Sequence, residues 1–117
     1  MPADPRVGVL REIFRHIEAW RALYEIYGID TLPSDYGSWS LWEIETLIRD
    51  GLPKVSPSRA QAIRLYLLEN RKETVVAEMM GVPEIPIGVY ATKGIEELLV
   101  MVDRGDFPGL GASESVA

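Results

Sequence analysis

The chain has 117 residues, of which 47% are hydrophobic and 26% are charged, which is the balance of one globular domain and excludes a disordered chain. The 18 Asp and Glu residues outnumber the 12 Lys and Arg residues, and the net charge of −6 disfavours a protein that wraps long nucleic acid. The absence of cysteine and the single histidine exclude a disulfide framework, a thiolate metal site, a cysteine nucleophile and a zinc site of the usual kind.

No apolar run reaches the roughly 18 residues that a membrane span needs. The N-terminal segment carries too many charges for a secretory signal. A nucleophile elbow, a glycine-rich phosphate loop and a metal-ligand spacing are all missing from the sequence. We therefore expect a soluble cytoplasmic protein that is not an enzyme, needs no cofactor and does not bind membranes.

The first predicted helix begins at Asp4, an N-cap residue that is followed by proline, and stops at Gly28. Its apolar residues recur three and four positions apart, which places them on one side of a helix. These residues are Leu10, Ile13, Phe14, Ile17, Trp20, Tyr24 and Tyr27.

A loop and a short helix are predicted next. The segment from Thr31 to Ser38 is rich in Pro, Ser, Asp and Gly and is predicted to be a loop. Ser40 and Glu43 have the spacing of a capping box in front of an apolar run. Gly51 and Pro53 are expected to end this helix.

Aromatic side chains of the N-terminal half allow two interpretations. In the first, the two tryptophans that flank the second helix fasten the loop to the first helix, which packs across the later helices. In the second, some of the aromatic residues form a dimer interface or a docking face for a larger partner, because aromatic residues are enriched at such contacts. The candidate interface residues are Phe14, Trp20, Tyr24, Trp39 and Trp42.

Three more helices are predicted. The third helix starts at Ser56, which is followed by proline, and Asn70 closes it in the left-handed conformation. A short apolar segment then runs from Thr74 to Met80 and stops at Gly81. The last helix begins near Pro86.

These elements predict an all-α protein of about five helices. Residues 1–102 form a single helical domain, in which residues 5–54 are an N-terminal helical cap and residues 56–102 a helix-turn-helix region. Residues 103–117 lack periodicity and are expected to be a flexible tail.

The segment from Thr74 to Tyr90 has the spacing of a helix-turn-helix. Ala77 supplies the small residue that a close helix crossing needs, and Gly81 tolerates the positive φ of a sharp turn. A plain pair of antiparallel helices has the same pattern. The residues expected to be buried around the crossing are Val76, Met80, Val82, Ile87 and Tyr90.

The segment from Arg59 to Leu98 resembles the fourth region of bacterial RNA polymerase sigma factors. The resemblance rests on four runs in the order of that family, which are Ala62-Ile63-Arg64-Leu65, Leu68-Glu69, Val76-Ala77-Glu78 and Gly81-Val82. The turn Pro83-Glu84-Ile85-Pro86 departs from the family, in which a Ser or Thr usually follows the turn.

The resemblance implies that Ile85 to Leu99 is a recognition helix that faces outward and enters a DNA groove. Glu96 and Glu97 would repel phosphates if they faced DNA. The residues that the resemblance assigns to DNA are Gly88, Val89, Thr92 and Lys93 on the helix and Arg59, Arg71 and Lys72 near phosphates.

Three functions follow from these observations. The leading hypothesis is a small DNA-binding transcriptional regulator, for which a homodimer would supply affinity and register. The main alternative is an acidic interaction module that has lost DNA binding and docks on RNA polymerase, on a sigma factor or on a second copy of itself. A third hypothesis, by analogy alone, is the DNA-recognition subunit of a viral packaging complex.

Overall fold

The described part of the chain consists of helices and of one short hairpin between the second and the third α-helix. The computed structural model describes residues 4–34, 37–82 and 86–110. The all-α fold class is confirmed, with six α-helices in these ranges where about five were predicted. The elements are α1 (Pro5–Arg15), α2 (Ile17–Tyr27), β1 (Thr31–Ser34), β2 (Gly37–Ser40), α3 (Leu41–Thr46), α4 (Pro57–Ala62), α5 (Glu73–Met80) and α6 (Ile87–Asp103).

The predicted first helix is two helices, interrupted at His16, whose φ of −112° and ψ of 17° leave the helical region. The side-chain amide of Asn70 donates a hydrogen bond of 2.9 Å to the carbonyl oxygen of Arg15. A side chain that bonds to a helix carbonyl is a known cause of a kink, because it competes with the ladder of backbone hydrogen bonds. The interruption therefore coincides with a contact from a residue 55 positions away in the sequence.

Four of the predicted helix ends are confirmed by their backbone conformation. The side chain of Asp4 caps α1 by accepting a hydrogen bond of 2.9 Å from the N–H of Arg6. Gly28, Asn70 and Gly81 all have a positive φ, as expected of residues that end helices in the left-handed conformation. Local sequence is sufficient for these ends because a cap involves only neighbouring residues.

A β-hairpin occupies most of the segment from Thr31 to Ser38, so the loop predicted there was wrong. Two strands of four residues pair in antiparallel register, with Leu32 opposite Trp39. The N–H of Leu41 donates a hydrogen bond of 2.7 Å to the carbonyl of Asp30 at the base of the hairpin. Strands this short, one of which contains proline, show too little alternation to be distinguished from a loop in the sequence.

Both middle helices widen into π-helical turns. The capped helix α3 continues as the π-helical segment Leu47–Gly51 and the 3₁₀ turn Leu52–Lys54, and α4 continues as the π-helical segment Ile63–Leu68. A Cβ atom on Gly51 would lie 2.6 Å from Leu98 of α6. Glycine at position 51 therefore allows the first π-helical segment to lie close to α6.

The central helix of the molecule is α6, which packs against α1, α4, α5 and both π-helical segments. One apolar core includes residues from every α-helix, so the two predicted regions, 5–54 and 56–102, share it. The buried residues of α6 are Ile87, Ala91, Gly94, Ile95, Leu98, Leu99 and Met101.

The chain after α6 packs back onto the bundle, where a flexible tail was expected from residue 103. Phe107 and Leu110 are only 4% and 9% exposed. Two apolar residues in a turn have no helical period, which is why the sequence pattern did not identify them. Asp35 of the predicted loop, residues 83–85 of the predicted turn and residues 111–117 of the predicted tail lie outside the described ranges.

Candidate interaction surface

The proposed recognition helix, α6, is largely covered by its neighbours. Ala91, Ile95 and Leu98 are fully buried, and they occupy successive turns on one side of the helix. The sides of α6 that remain open carry Val89, which is 50% exposed, and Val100, which is 57% exposed. Lys93 and Asp103 are also exposed, so the open surface of α6 carries both apolar and charged side chains.

Two of the candidate groove residues face α1. The Nη1 of Arg11 donates a hydrogen bond of 3.3 Å to the hydroxyl oxygen of Thr92. A Cβ atom on Gly88 would lie 3.8 to 3.9 Å from Arg11, Tyr66 and Glu73. Gly88 and Thr92 are accordingly half-buried beneath other side chains.

The remaining candidate groove residues, Val89 and Lys93, are exposed on α6. The ammonium of Lys93 lies 3.6 Å from the carboxylate of Glu96, one turn further along the helix. This neighbouring carboxylate offsets the positive charge that a phosphate would meet.

Arg59 holds two helices together. Its guanidinium donates to the carboxylate of Glu97 at 2.7 Å, and the backbone N–H and hydroxyl of Ser56 donate to the same carboxylate at 3.0 and 2.9 Å. Burial by itself raises the pKa of Glu97, but the hydrogen bonds from Ser56 and Arg59 outweigh burial and lower it. This ion pair joins α4 to α6.

The other two candidate phosphate contacts lie before α5. Arg71 and Lys72 are both exposed, and the Nε of Arg71 donates a hydrogen bond of 2.8 Å to the carboxylate of Glu69. The seven residues assigned to DNA therefore occupy the α4–α6 contact, the turn before α5, the covered side of α6 and its exposed side.

The five candidate interface aromatics divide into two groups. Phe14, Trp20 and Trp39 are between 0% and 8% exposed, and they belong to the core. Trp20 satisfies its indole N–H by donating a hydrogen bond of 3.0 Å to the carbonyl of Ile29. Tyr24 and Trp42 are 49% and 54% exposed, so these two side chains remain available at the surface.

The outer end of α2 is exposed and apolar. Leu23, Ile26 and Tyr27 are 38%, 69% and 71% exposed, and their spacing of three and four residues places them on one side of the helix. We call these three residues the apolar side of α2. Leu23 and Ile26 were not candidate interface residues. The sequence did contain a signal for their exposure, because both residues are apolar but lie outside the predicted stripe that contains Trp20 and Tyr24.

A groove separates α2 from the start of α3 and encloses about 750 Å³. Its walls include two half-exposed aromatic side chains, four carboxylates and one guanidinium. We call this site the acidic groove. Its lining residues are Glu18, Arg21, Ala22, Tyr24, Glu25, Asp30, Leu41, Trp42 and Glu45.

Arg21 organises the acidic groove. Its guanidinium donates two hydrogen bonds, of 2.8 and 2.6 Å, to the two oxygens of Glu45 on α3, and a further bond to Glu18. These bonds keep the pKa of Arg21 above its ordinary value, chiefly through the contact with Glu45. The pair fixes the spacing between α2 and α3, and no sequence pattern predicted it because the partners are 24 residues apart.

A second, smaller groove of about 520 Å³ lies on another side of Trp42. Its charged residues include the ion pair between Arg49 and Asp50, whose charges cancel. Its wall includes Phe107, over which the ammonium of Lys54 lies at 5.6 Å from the ring centre. Arg49 and Lys54 balance the two aspartates, so the described lining of this groove has no excess of either charge.

No protein-family model, curated protein or solved structure matches this chain. Among the helices of the described residues, none has both the length and the apolar character that crossing a bilayer requires.

Proposed function

We propose that the chain is an acidic helical protein-interaction module that pairs with a second copy of itself through the apolar side of α2. The observation that carries the proposal is the exposure of Ile26 and Tyr27, at 69% and 71%, on the outer end of a helix. Large apolar side chains grouped on an exposed surface favour association, because contact with a partner removes them from water.

A second copy is the occupant that the charge distribution favours. Ala19, Leu23, Ile26 and Tyr27 follow one side of α2 without a charged residue among them. A two-fold axis would bring this side against itself, because a symmetric dimer uses the same patch on both copies. Each copy has a net charge of −6. The charged residues of α2 lie on its other sides, so they are not at the centre of this contact.

The oligomeric state tests the proposal. Sedimentation velocity over a wide concentration range should show a reversible monomer–dimer equilibrium for the unmodified chain. Ile26→Glu should shift this equilibrium to the monomer, because a carboxylate would be buried at the contact. Val100→Glu, which introduces the same charge at an exposed apolar position of α6, should leave the equilibrium unchanged.

Two results would overturn the dimer. One is an unmodified chain that stays monomeric at every concentration. The other is an equal effect of Ile26→Glu and Val100→Glu, since it would assign association to net charge instead of to α2.

DNA binding is the second candidate function. It is supported by Gly81, which ends α5 with a φ of +68° ahead of α6, and by the exposed cations Arg71 and Lys72 at the start of α5. In this proposal Lys72 and Lys93 contact phosphates, and Val89 lies against the groove. The resemblance to the sigma-factor region is the sequence argument for the same function.

A salt titration tests the DNA hypothesis. Mixed-sequence duplexes should be retarded at low salt, and affinity should fall steeply as salt rises, because phosphate contacts release counterions. Lys72→Ala should weaken retardation, whereas Lys54→Ala, which removes the cation beside Phe107 in the second groove, should have little effect. Absence of retardation at the lowest salt would remove this hypothesis.

A further inference from the structure

We infer that the acidic groove binds an arginine- or lysine-rich segment of a partner protein. The inference rests on the proposed function in treating the chain as an interaction module, and it adds the chemistry of the partner. It does not require the dimer, because the residues that line the groove do not include the apolar side of α2.

The acidic groove carries an excess of negative charge. Among the described residues of its lining, four carboxylates, from Glu18, Glu25, Asp30 and Glu45, stand against the single guanidinium of Arg21, which is an excess of three negative charges. Arg21 is engaged with Glu45 and Glu18. The excess charge is therefore concentrated at Glu25 and Asp30, where a cation from outside gains the most.

Two aromatic side chains form part of the walls of the acidic groove. Tyr24 and Trp42 are 49% and 54% exposed and both line the groove. A guanidinium or ammonium group that lies over such a ring is attracted by its face, and a carboxylate beside the ring adds a charge-assisted hydrogen bond. The chain uses this arrangement internally, where the guanidinium of Arg15 lies 4.4 Å from the ring centre of Tyr66.

The size and the charge of the acidic groove select among possible occupants. A groove of about 750 Å³ holds several side chains of a peptide and exceeds what one cationic group fills. The same carboxylates repel phosphates. They also disfavour a second copy of this chain as the occupant of the groove, because its net charge is −6. A basic peptide segment that also carries apolar side chains fits both the charges and the rings.

Calorimetry with a synthetic probe tests the inference. The probe is a short helical peptide with arginine and leucine on opposite sides, and the controls are the same peptide with glutamate in place of arginine, and free spermidine. The arginine peptide should bind, with an affinity that falls as salt is raised. The glutamate peptide should not bind, and spermidine should bind much more weakly.

Matched charge reversals identify the site. Glu25→Lys should weaken binding of the arginine peptide by about tenfold, as expected for loss of one close charge pair. Glu78→Lys makes the same change of net charge on α5, outside the groove, and should have little effect. If lysine disturbs folding, as judged by the melting temperature, Glu25→Gln should weaken binding in the same direction.

Tryptophan fluorescence gives an independent measurement. Trp42 is 54% exposed, whereas Trp20 and Trp39 are 2% and 8% exposed, so bound peptide should shift the emission through Trp42. The shift should disappear in Trp42→Leu and persist in Ile26→Glu. Retained binding in Ile26→Glu separates the groove from the dimer, so that either can fail without the other.

Three outcomes would overturn the inference. The first is equal weakening by Glu25→Lys and Glu78→Lys, which would indicate a non-specific charge effect. The second is binding of the glutamate peptide, and the third is binding of spermidine in place of the peptide.

Discussion

Two helical glycines differ in how closely other residues approach them. A Cβ atom on Gly94 of α6 would lie 2.7 Å from Ile63 Cδ1 and 3.2 Å from the carbonyl oxygen of Arg59. Around Gly8 of α1, no heavy atom of the residues that the structure describes lies within 4 Å of the same position. The first glycine allows α4 and α6 to pack closely, whereas the second has no such role.

We predict opposite effects of alanine at these two sites. Gly94→Ala should destabilise the protein by about 1 kcal/mol, because overpacking against a backbone carbonyl exceeds the gain in helix propensity. Gly8→Ala should stabilise it by about 0.5 to 1 kcal/mol, because only the propensity changes. Urea unfolding of both variants measures the two values, and an increase in stability from Gly94→Ala would contradict the packing described above.

Arg6 joins the beginning of α1 to the end of α6. Its guanidinium donates hydrogen bonds of 2.8 and 2.9 Å to the two oxygens of Asp103 and also bonds to Asp4. The hydrogen bond from Arg6 holds the pKa of Asp103 below its ordinary value of 3.8, although burial opposes it. A carboxylate with a lowered pKa stabilises the fold above its ordinary pKa, and this contribution is lost as the pH falls through the lowered value.

We predict that Asp103→Asn reduces the loss of stability in acid. The variant should be less stable than the unmodified chain near neutral pH, by less than about 1 kcal/mol because solvent screens this half-exposed pair. Below pH 3.8 the difference between the two proteins should shrink, since Asp103 becomes protonated in the unmodified chain. Urea unfolding at several pH values measures this difference in the free energy of unfolding, and Glu78→Gln on α5 is the control. A difference that grows in acid would contradict the stabilising role of the pair between Arg6 and Asp103.

At the scale of elements, α3 begins with a capping box, as its sequence predicted. The hydroxyl of Ser40 accepts a hydrogen bond of 3.1 Å from the N–H of Glu43, whose carboxylate accepts one of 2.8 Å from the N–H of Ser40. This cap fixes where β2 ends and α3 starts. It therefore helps to position Trp42 and Glu45, which line the acidic groove.

We predict that Ser40→Ala costs about 1 kcal/mol of stability, because an N–H at the start of α3 loses its acceptor. Ser58→Ala, at an exposed position in the first turn of α4, should change stability little. Thermal unfolding of the two variants gives the comparison. Equal effects would show that the hydroxyl of Ser40 does not cap α3 in solution.

The turn after α6 is a structural element in its own right. Phe107 is 4% exposed, and its ring would lie 3.2 Å from a Cβ atom on Gly51, so it closes the core beside the first π-helical segment. Phe107→Ala should cost about 3 kcal/mol, because it leaves a cavity that the core fills only in part. Val100→Ala, at an exposed position of α6, should cost far less. Chemical denaturation measures both, and a small effect of Phe107→Ala would indicate that this turn does not pack in solution.

At the scale of the whole molecule, the outer end of α2 lies outside the core that its first two turns share. The radius of gyration is 14.5 Å, and the principal extents are 46, 35 and 26 Å. A domain of this length usually has a radius of about 13 Å. Residues 22–30 are all exposed, which leaves the apolar side of α2 open to a partner.

We predict that hydrogen exchange is uneven along the chain. Amides of residues 22–27 should exchange through local opening, because few buried contacts hold the outer end of α2. Amides around Ile95 and Leu98 should exchange only through global unfolding, since both residues are fully buried. Mass spectrometry of the exchanging protein measures this difference, and raising the concentration should slow exchange in α2 if the dimer forms. Equal rates in α2 and α6 would contradict the picture of a projecting helix.

Much of the local structure was predictable from sequence. The caps at Asp4, Ser40 and Gly81 form between residues close together in the chain, so their spacing alone indicates where helices begin and end. The spacing of apolar residues likewise predicted an all-α fold. The hairpin and the packed turn at Phe107 were missed because each is too short to show a period.

The surface was less predictable, because the exposure of a side chain depends on which element packs over it. The apolar pattern of the first predicted helix placed Phe14 and Tyr27 on the same side. In the structure Phe14 is buried in the core, whereas Tyr27 is exposed. Helix caps and fold class were determined by the sequence alone, since short-range hydrogen bonds and the period of apolar residues suffice for them. Only tertiary packing decided that α6 is central, that α2 projects and that Arg21 and Glu45 form a groove, because these outcomes depend on contacts between residues distant in sequence.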